Sequence, residues 1–517
     1  MHDLKHAVSL YEVFTGQAAR RPDAVAITDG PLDITYAELE QAAREYRAGL
    51  ARHGVRPGEL VGISLERGWE VVAAILAVLG HGCGYVPLDP AYPADRLAFM
   101  ARNTGTRVAI AEADGSALPD GVTRVRREDG AAAPDPAPRA RPADVPVYII
   151  HTSGSTGVPK GVAVAESAVL ELFRSCTDGL FAFGPEDTWT LYFSYSFDFS
   201  VWEIWGALLF GGRITIVPSD TAQRPAALLE FLAEQRVTVL SMVPSFFKYL
   251  ARAYERRPAE LDLRYVVFGG EALDRISVRA WMALRPGAET LVNMYGITET
   301  TVHTTFGALT PERVASDGGG TWIGSPLAHH RMVLLDEDGA EVPDGEPGEA
   351  YIAGQGLAYG YVNRPDLTAE RFPELRLAGD TEPCRWYRTG DVARRLPDGT
   401  YEYLGRNDRQ INLRGFRIEL GEIEAALRAV PGVADAVAVT EDAAGGESVL
   451  VAYTTLDGEL EHTARTAALL REACAARLPA HMVPNRITVL SEMPLAPSGK
   501  LDRARLSTDT ELRVVLR

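Results

Sequence analysis

The chain has 517 residues, 46% of them hydrophobic, with 52 basic and 70 acidic side chains and a formal net charge of −18. The length predicts roughly two to four domains with ample core, and the acidic balance argues against a nucleic-acid or anionic-membrane partner. No stretch approaches eighteen consecutive apolar residues, so no membrane span is expected.

Only four cysteines occur, Cys83, Cys176, Cys384 and Cys474, far apart and without metal-ligand spacing. They read as reduced, packed thiols, and the first residues lack the apolar core of a signal peptide; together these predict a cytoplasmic protein. Helical patterns alternate with short β-branched runs, which predicts an α/β architecture. Residues 60–65 read as a strand and 69–79 as the helix that follows. Residues 126–146, rich in Ala, Pro and Arg, read as a surface loop, because strand-like sequence resumes at 147–150.

That strand runs into Thr152-Ser153-Gly154-Ser155-Thr156-Gly157-Val158-Pro159-Lys160-Gly161, which holds three glycines, four hydroxyls and a lysine. Glycines let the backbone approach an anion, and hydroxyls, amides and the ammonium donate to it, so the run predicts a phosphate cradle. The P-loop of nucleotide triphosphatases needs Gly before the lysine and Ser or Thr after it. Here Pro159 precedes Lys160 and Gly161 follows, so that alternative fails. Further on, 401–406 closes a glycine-punctuated β region, and a boundary is expected near Asp408. Beyond it, Leu420, Ile423, Leu427 and Val430 have helical spacing, and 436–439 and 449–453 read as strands, which makes a small α+β unit.

Several separated motifs now agree. Tyr85-Val86-Pro87-Leu88-Asp89-Pro90, the glycine run, Asn293-Met294-Tyr295-Gly296-Ile297-Thr298-Glu299-Thr300, and Tyr387-Arg388-Thr389-Gly390-Asp391 occur in that order. Gly405-Arg406-Asn407-Asp408-Arg409-Gln410 follows, then Arg414-Gly415, 418–424, and Pro497-Ser498-Gly499-Lys500-Leu501-Asp502-Arg503. Over almost its whole length the chain resembles adenylate-forming enzymes, in particular the amino-acid adenylation domains of nonribosomal peptide synthetases. The resemblance implies a large N-terminal core, 1–407, of packed α/β sheets with a β-rich part. It also implies a small, mobile α+β domain, 409–517, hinged at Asp408.

It further implies the chemistry: an amino-acid carboxylate attacks the α-phosphorus of ATP with Mg2+, and a carrier protein's phosphopantetheine thiol then takes the acyl group. Carried over residue by residue, Thr152, Ser153, Gly154, Ser155, Thr156, Gly157 and Lys160 would cradle phosphates. Gly270, Glu271, Asn293, Tyr295, Gly296, Thr298, Asp391 and Arg406 would hold the rest of ATP. Glu299, a hard oxygen ligand, suits Mg2+; Tyr295 offers adenine a face; Asp391 can accept both ribose hydroxyls. Lys500 would bridge the substrate carboxylate and the α-phosphate, opposing charge that develops in the transition state. After rotation about Asp408, Arg414 and Gly415 would face the thiol tunnel. Asn412 and Phe193 depart from residues common in the family, Lys and His respectively.

For the substrate, Asp198 would pair with an α-ammonium group, which separates amino-acid activators from acyl and aryl relatives. The remaining pocket positions are Phe199, Trp202, Ser241, Val267, Gly269, Met294, Val302 and His303, closed by Lys500. This set resembles the threonine-activating signature, departing mainly at Ser241. Aromatic and methionine bulk leaves room for a short side chain, and Ser241 and His303 can bond a hydroxyl. Serine, 2-aminobutyrate, valine and a modified threonine stay open, as does a D-alanine–carrier protein ligase. The chain ends 17 residues after Lys500, and His329-His330 lacks the Asp-Gly spacing of a condensation site. The expectation is a free-standing enzyme loading a peptidyl carrier protein in trans, with a piece of a larger synthetase as the alternative. Whether an MbtH-like activator protein is needed stays open.

Overall fold

The helix Trp69–Gly80 buries all ten residues from Val71 to Gly80, the pattern of a helix covered on every side. It connects the strands Leu60–Ser64 and Gly84–Pro87, which pair in parallel, the arrangement a helical crossover permits. This computed structural model describes residues 4–506 except 5, 113–117, 132–133, 135, 155–157, 316–319, 378–379, 409, 444–446, 458–463, 491 and 495–504. Within them the chain forms two units of mixed α/β structure. The larger is Met1–Asp89, Ala101–Ile150 and Gly161–Asn407; the smaller is Pro90–Met100, His151–Lys160 and Asp408–Arg517.

The larger unit carries two big sheets. A seven-stranded one runs in the order Gly360–Tyr361, Lys160–Val164, Tyr148–Thr152, Gly84–Pro87, Leu60–Ser64, Val108–Ala111, Thr123–Val125. A fourteen-stranded one contains five consecutive parallel neighbours: Thr290–Asn293, Tyr265–Phe268, Val239–Met242, Thr188–Leu191 and Arg213–Ile216. Its other half is antiparallel, with Cys384–Arg395 between Pro347–Gly354 and Tyr401–Arg406. Open parallel sheets bind ligands beyond the carboxyl ends of their strands. Met294 to Gly296 leave the strand Thr290–Asn293 at that end, and Gly269 to Glu271 leave Tyr265–Phe268 likewise.

The segment 126–146 is a surface loop, most of its described residues exposed, as its composition suggests. It contains the helix Glu128–Ala131, and Arg139 donates its N–H to Gly80 O at 3.0 Å. Arg141 pairs with Glu166 at 2.6 Å, the two side chains 8% and 10% exposed, and Glu166 also accepts Leu10 N–H at 2.7 Å. Composition alone announces neither anchor, because both partners lie elsewhere in the chain.

In the smaller unit, Gln410–Leu413 and Phe416–Glu419 form a hairpin with Leu413 opposite Phe416. Arg414 and Gly415 are its two-residue turn, at φ 53° and 81°. Two successive positive φ values match the right-handed twist of the flanking strands, and glycine adopts one without strain. The helix Leu420–Arg428 buries Leu420, Ile423 and Leu427 against the three-stranded sheet Val433–Ala443, Glu447–Leu456, Arg486–Leu490.

Candidate functional site

The pocket grows from the helix Phe199–Leu208, whose ten residues are all buried. Asp198 stands at its N-cap, 5% exposed, making no capping bond to its own helix. Burial, and then the charge of Asp198, push the phenols of Tyr85 and Tyr148 above their usual range, which places the carboxylate near both. Phe199 and Trp202 flank the His303 ring edge-on, each centroid 5.0 Å away. Gly269 faces the same space: a Cβ there would lie 3.1 Å from Phe199 Cε1 and 3.3 Å from Met294 O. Ser241 pairs in register with Val267 on the adjacent strand. Val267, Met294 and Val302 join Phe199 and Trp202 in one buried apolar cluster.

Within that cluster some polar atoms have no partner. Ser241 Oγ, both ring nitrogens of His303, and Trp202 Nε1 are buried without a hydrogen bond among the described residues. Burial pushes the His303 imidazole down to about 3, so at neutral pH it is uncharged, with one donor and one acceptor. Buried polar groups in native proteins almost always have partners, so these four atoms are open hydrogen-bonding positions.

A second cluster surrounds Asp391, 3% exposed and opposite Arg406 in the antiparallel pairing of their strands. Arg406 Nη1 donates to one carboxylate oxygen at 2.5 Å, and the Tyr295 hydroxyl donates to the other at 2.5 Å. Two donors therefore hold the carboxylate in one orientation. Burial and Asp391 push the Tyr295 phenol far above its ordinary value, which keeps it a donor. Asn293 donates its side-chain amide to Trp322 O at 2.7 Å, which fixes that side chain's orientation. Gly270 has φ 79°, and Glu271 accepts the N–H of Ser245 at 2.9 Å. Gly296 admits the Val302 carbonyl, which a Cβ would meet at 2.0 Å.

The phosphate cradle begins where the strand Tyr148–Thr152 ends. Gly154 has room only for hydrogen, since a Cβ would lie 1.9 Å from Val158 O. Thr152 Oγ1 is buried without a partner among the described residues. Lys160 is 8% exposed and opens the strand Lys160–Val164. Ser155, Thr156 and Gly157, expected in the cradle, and Lys500, expected to be catalytic, lie outside the described residues.

Comparison with known proteins shows the family. The model of the AMP-binding enzyme family matches residues 14–362, and that of the AMP-binding enzyme C-terminal domain matches 422–500. The chain belongs to the AMP-binding enzyme family. It is 42% identical over 518 residues to a dimodular nonribosomal peptide synthase of Bacillus subtilis (strain 168), covering 96% of this chain and 21% of that protein. It is 40% identical over 515 residues to syringomycin synthase SyrB1 of Pseudomonas syringae pv. syringae, covering 97% of this chain and 82% of that one. Among solved structures it resembles holo-PA1221, a nonribosomal peptide synthetase protein containing adenylation and carrier domains bound to a vinylsulfonamide inhibitor. That match has a TM-score of 0.84 at 30% identity and covers 98% of this chain and 84% of the other. The chain spans about a fifth or less of the length of the first curated relatives it matches. No helix among the described residues is long and apolar enough to cross a membrane.

Family membership implies a magnesium ion, and the donor set fits one held mainly by substrate. No group of three or more His, Cys, Asp or Glu that could hold a metal exists among the described residues. Glu299 is fully buried in the short 3-10 helix Thr298–Thr300, with one carboxylate oxygen accepting the Tyr361 hydroxyl at 2.7 Å. One oriented carboxylate alongside phosphate oxygens is an ordinary magnesium environment.

Sequence reading missed Arg96 and Glu422 as parts of the cradle. Gly154 donates its N–H to Glu422 Oε2 at 3.2 Å, and Arg96 pairs with Oε1 of the same carboxylate at 2.7 Å. Burial pushes the Glu422 carboxyl up, while Arg96 and the Gly154 amide pull it down. Ser153 donates its hydroxyl to Arg417 O at 2.7 Å and accepts Glu419 N–H at 3.1 Å. These partners are separated by more than 260 residues, so no local pattern announces them. At the boundary, exposed Asp408 accepts the N–H of Gln410 at 3.0 Å.

Proposed function

We propose that the chain activates L-threonine or a close analogue with ATP, forming an aminoacyl-adenylate and pyrophosphate. It then passes the acyl group to the phosphopantetheine thiol of a carrier protein. The observation that carries the substrate reading is the unpartnered pair Ser241 and His303 inside an otherwise apolar pocket. A hydroxyl on a two-carbon branch satisfies them, and its methyl packs on Val267 and Val302. A site built to bond a hydroxyl rejects analogues lacking it far better than an apolar pocket rejects size variants. Asp198, one residue before Phe199, is the counter-charge for the α-ammonium group.

Asp391 takes the ribose hydroxyls, Tyr295 and Asn293 hold adenine, and Gly270, Glu271, Gly296, Thr298 and Arg406 complete the nucleotide site. The cradle from Thr152 to Gly157, with Lys160, takes phosphates. Bound Mg2+, held by Glu299, would neutralise charge on the phosphate oxygens. Lys500 would oppose the charge spreading over the α-phosphate during in-line displacement. No enzyme nucleophile is needed, so positioning and electrostatics supply the acceleration. The division into a core, 1–407, and a moving domain, 409–517, hinged at Asp408, accounts for both half-reactions: rotation withdraws Lys500 and brings the turn Arg414-Gly415 toward the thiol.

Amino-acid-dependent pyrophosphate exchange, run with and without an MbtH-like protein, tests the reading. L-Threonine should lead L-serine, L-2-aminobutyrate and L-valine. Preference for D-alanine would make the chain a carrier-protein ligase of another kind, and preference for L-valine would remove the role given to Ser241 and His303.

A further inference from the structure

Two consecutive β-branched residues, Thr301 and Val302, have φ 58° and 68°. Side chains branched at Cβ rarely adopt that region, and a pair of them is costly unless the surroundings over-determine it. The turn is tight: His303 donates its N–H to Thr301 O at 2.8 Å, closing a three-residue loop around Val302. Such a turn with positive φ is rare and strained.

Four features hold it. The Thr301 hydroxyl donates to Gly356 O at 2.7 Å in a buried bond. Gly296 lacks the Cβ that would strike the Val302 carbonyl. Thr304 and Thr305 both donate their N–H groups to Tyr295 O, at 2.7 and 3.0 Å. His330 Nε2 lies 3.2 Å from Thr300 O, and since a carbonyl only accepts, that nitrogen carries the proton. The side chains this turn delivers are Val302 and His303, the latter with both nitrogens unpartnered between Phe199 and Trp202.

We infer that Thr301, through its bond to the Gly356 carbonyl, is a specificity-positioning residue: it holds the strained turn that aims His303 at the substrate hydroxyl without touching substrate itself. The inference rests on the hydroxyl-directed reading of the pocket. Without the bond, the turn relaxes from its positive-φ geometry and His303 moves off the hydroxyl, while the apolar walls stay in place. Selectivity then falls more than activity does.

The test compares kcat/KM for L-threonine with that for L-2-aminobutyrate, the same skeleton without the hydroxyl, in pyrophosphate exchange. Thr301→Val keeps the shape and removes the donor; the ratio should fall about 10- to 100-fold, the scale of misplacing a contact by an ångström. Thr301→Ser keeps the donor and should hold the ratio within about threefold of the parent. Thr301→Ala also removes the donor but has no branch at Cβ, so it folds even if the valine variant does not; a positive φ still costs it, and it should lower the ratio as valine does. A merely structural role would lower both substrates equally, and an unchanged ratio in the valine or alanine variant overturns the inference. A parent enzyme that fails to prefer threonine over 2-aminobutyrate refutes the pocket reading instead.

Discussion

Asp198→Asn is the sharpest probe of the proposed chemistry. The carboxylate is 5% exposed at the head of the helix Phe199–Leu208 and forms no cap bond with it. Removing one charge from a buried ion pair typically costs about 3–5 kcal/mol, because the other is left desolvated. At about 1.4 kcal/mol per decade, the loss in kcat/KM for L-threonine should lie between about 100- and 5,000-fold. The change to the fold should be small: losing a negative charge at a helix N-terminus costs about 0.3–1 kcal/mol. Pyrophosphate exchange should be measured with L-threonine and with 3-hydroxybutyrate, which lacks the ammonium group. The variant should lose the first and gain or keep the second, since 3-hydroxybutyrate carries no ammonium group for the carboxylate to stabilise. Threonine activation within about threefold of the parent, or equal losses on both acids, would refute the assignment.

Lys500→Ala should abolish adenylate formation while ATP still binds in calorimetry, and near-normal exchange would remove its assigned role. Asp391→Asn should raise KM for ATP about 10- to 150-fold, the scale of hydrogen bonds to a charged group, and leave KM for the amino acid nearly unchanged. An unaltered KM for ATP would show that the ribose binds elsewhere. Stability should fall in acid. Burial pushes His303 down to about 3, His329 to about 2 and His330 to about 4, so each is neutral when folded and takes up a proton on unfolding below about pH 6.5. The unfolded state then binds more protons, so stability is lost as pH falls from about 6.5 toward 4, approaching a slope of roughly 4 kcal/mol per pH unit for three such groups. Thermal melting that stays flat between pH 6.5 and 5 would contradict this.

Some local features were legible along the chain. The strand at 147–150 and the tight turn after it follow from residue types, and Gly154 meets Val158 O where a Cβ would need space. The helix after Leu60–Ser64 and the helix and strands after Asp408 also follow from periodicity, since spacing along the chain is what decides which face can be buried. The segment 126–146 is the exposed loop its composition announces, but its anchors at Gly80 and Glu166 lie too far along the chain to be read locally. Arg96 and Glu422 escaped for the same reason.

Residue types and their order, taken alone, determined the family resemblance and which residues are proposed for nucleotide and substrate. Tertiary structure alone decided which polar atoms find partners. It joined Tyr295 to Asp391 across 96 residues, left His303 and Ser241 unsatisfied, and bent Thr301 and Val302 into a conformation their side chains resist. Local preference is a property of a few neighbouring residues, whereas satisfaction and strain depend on what the rest of the chain packs against them.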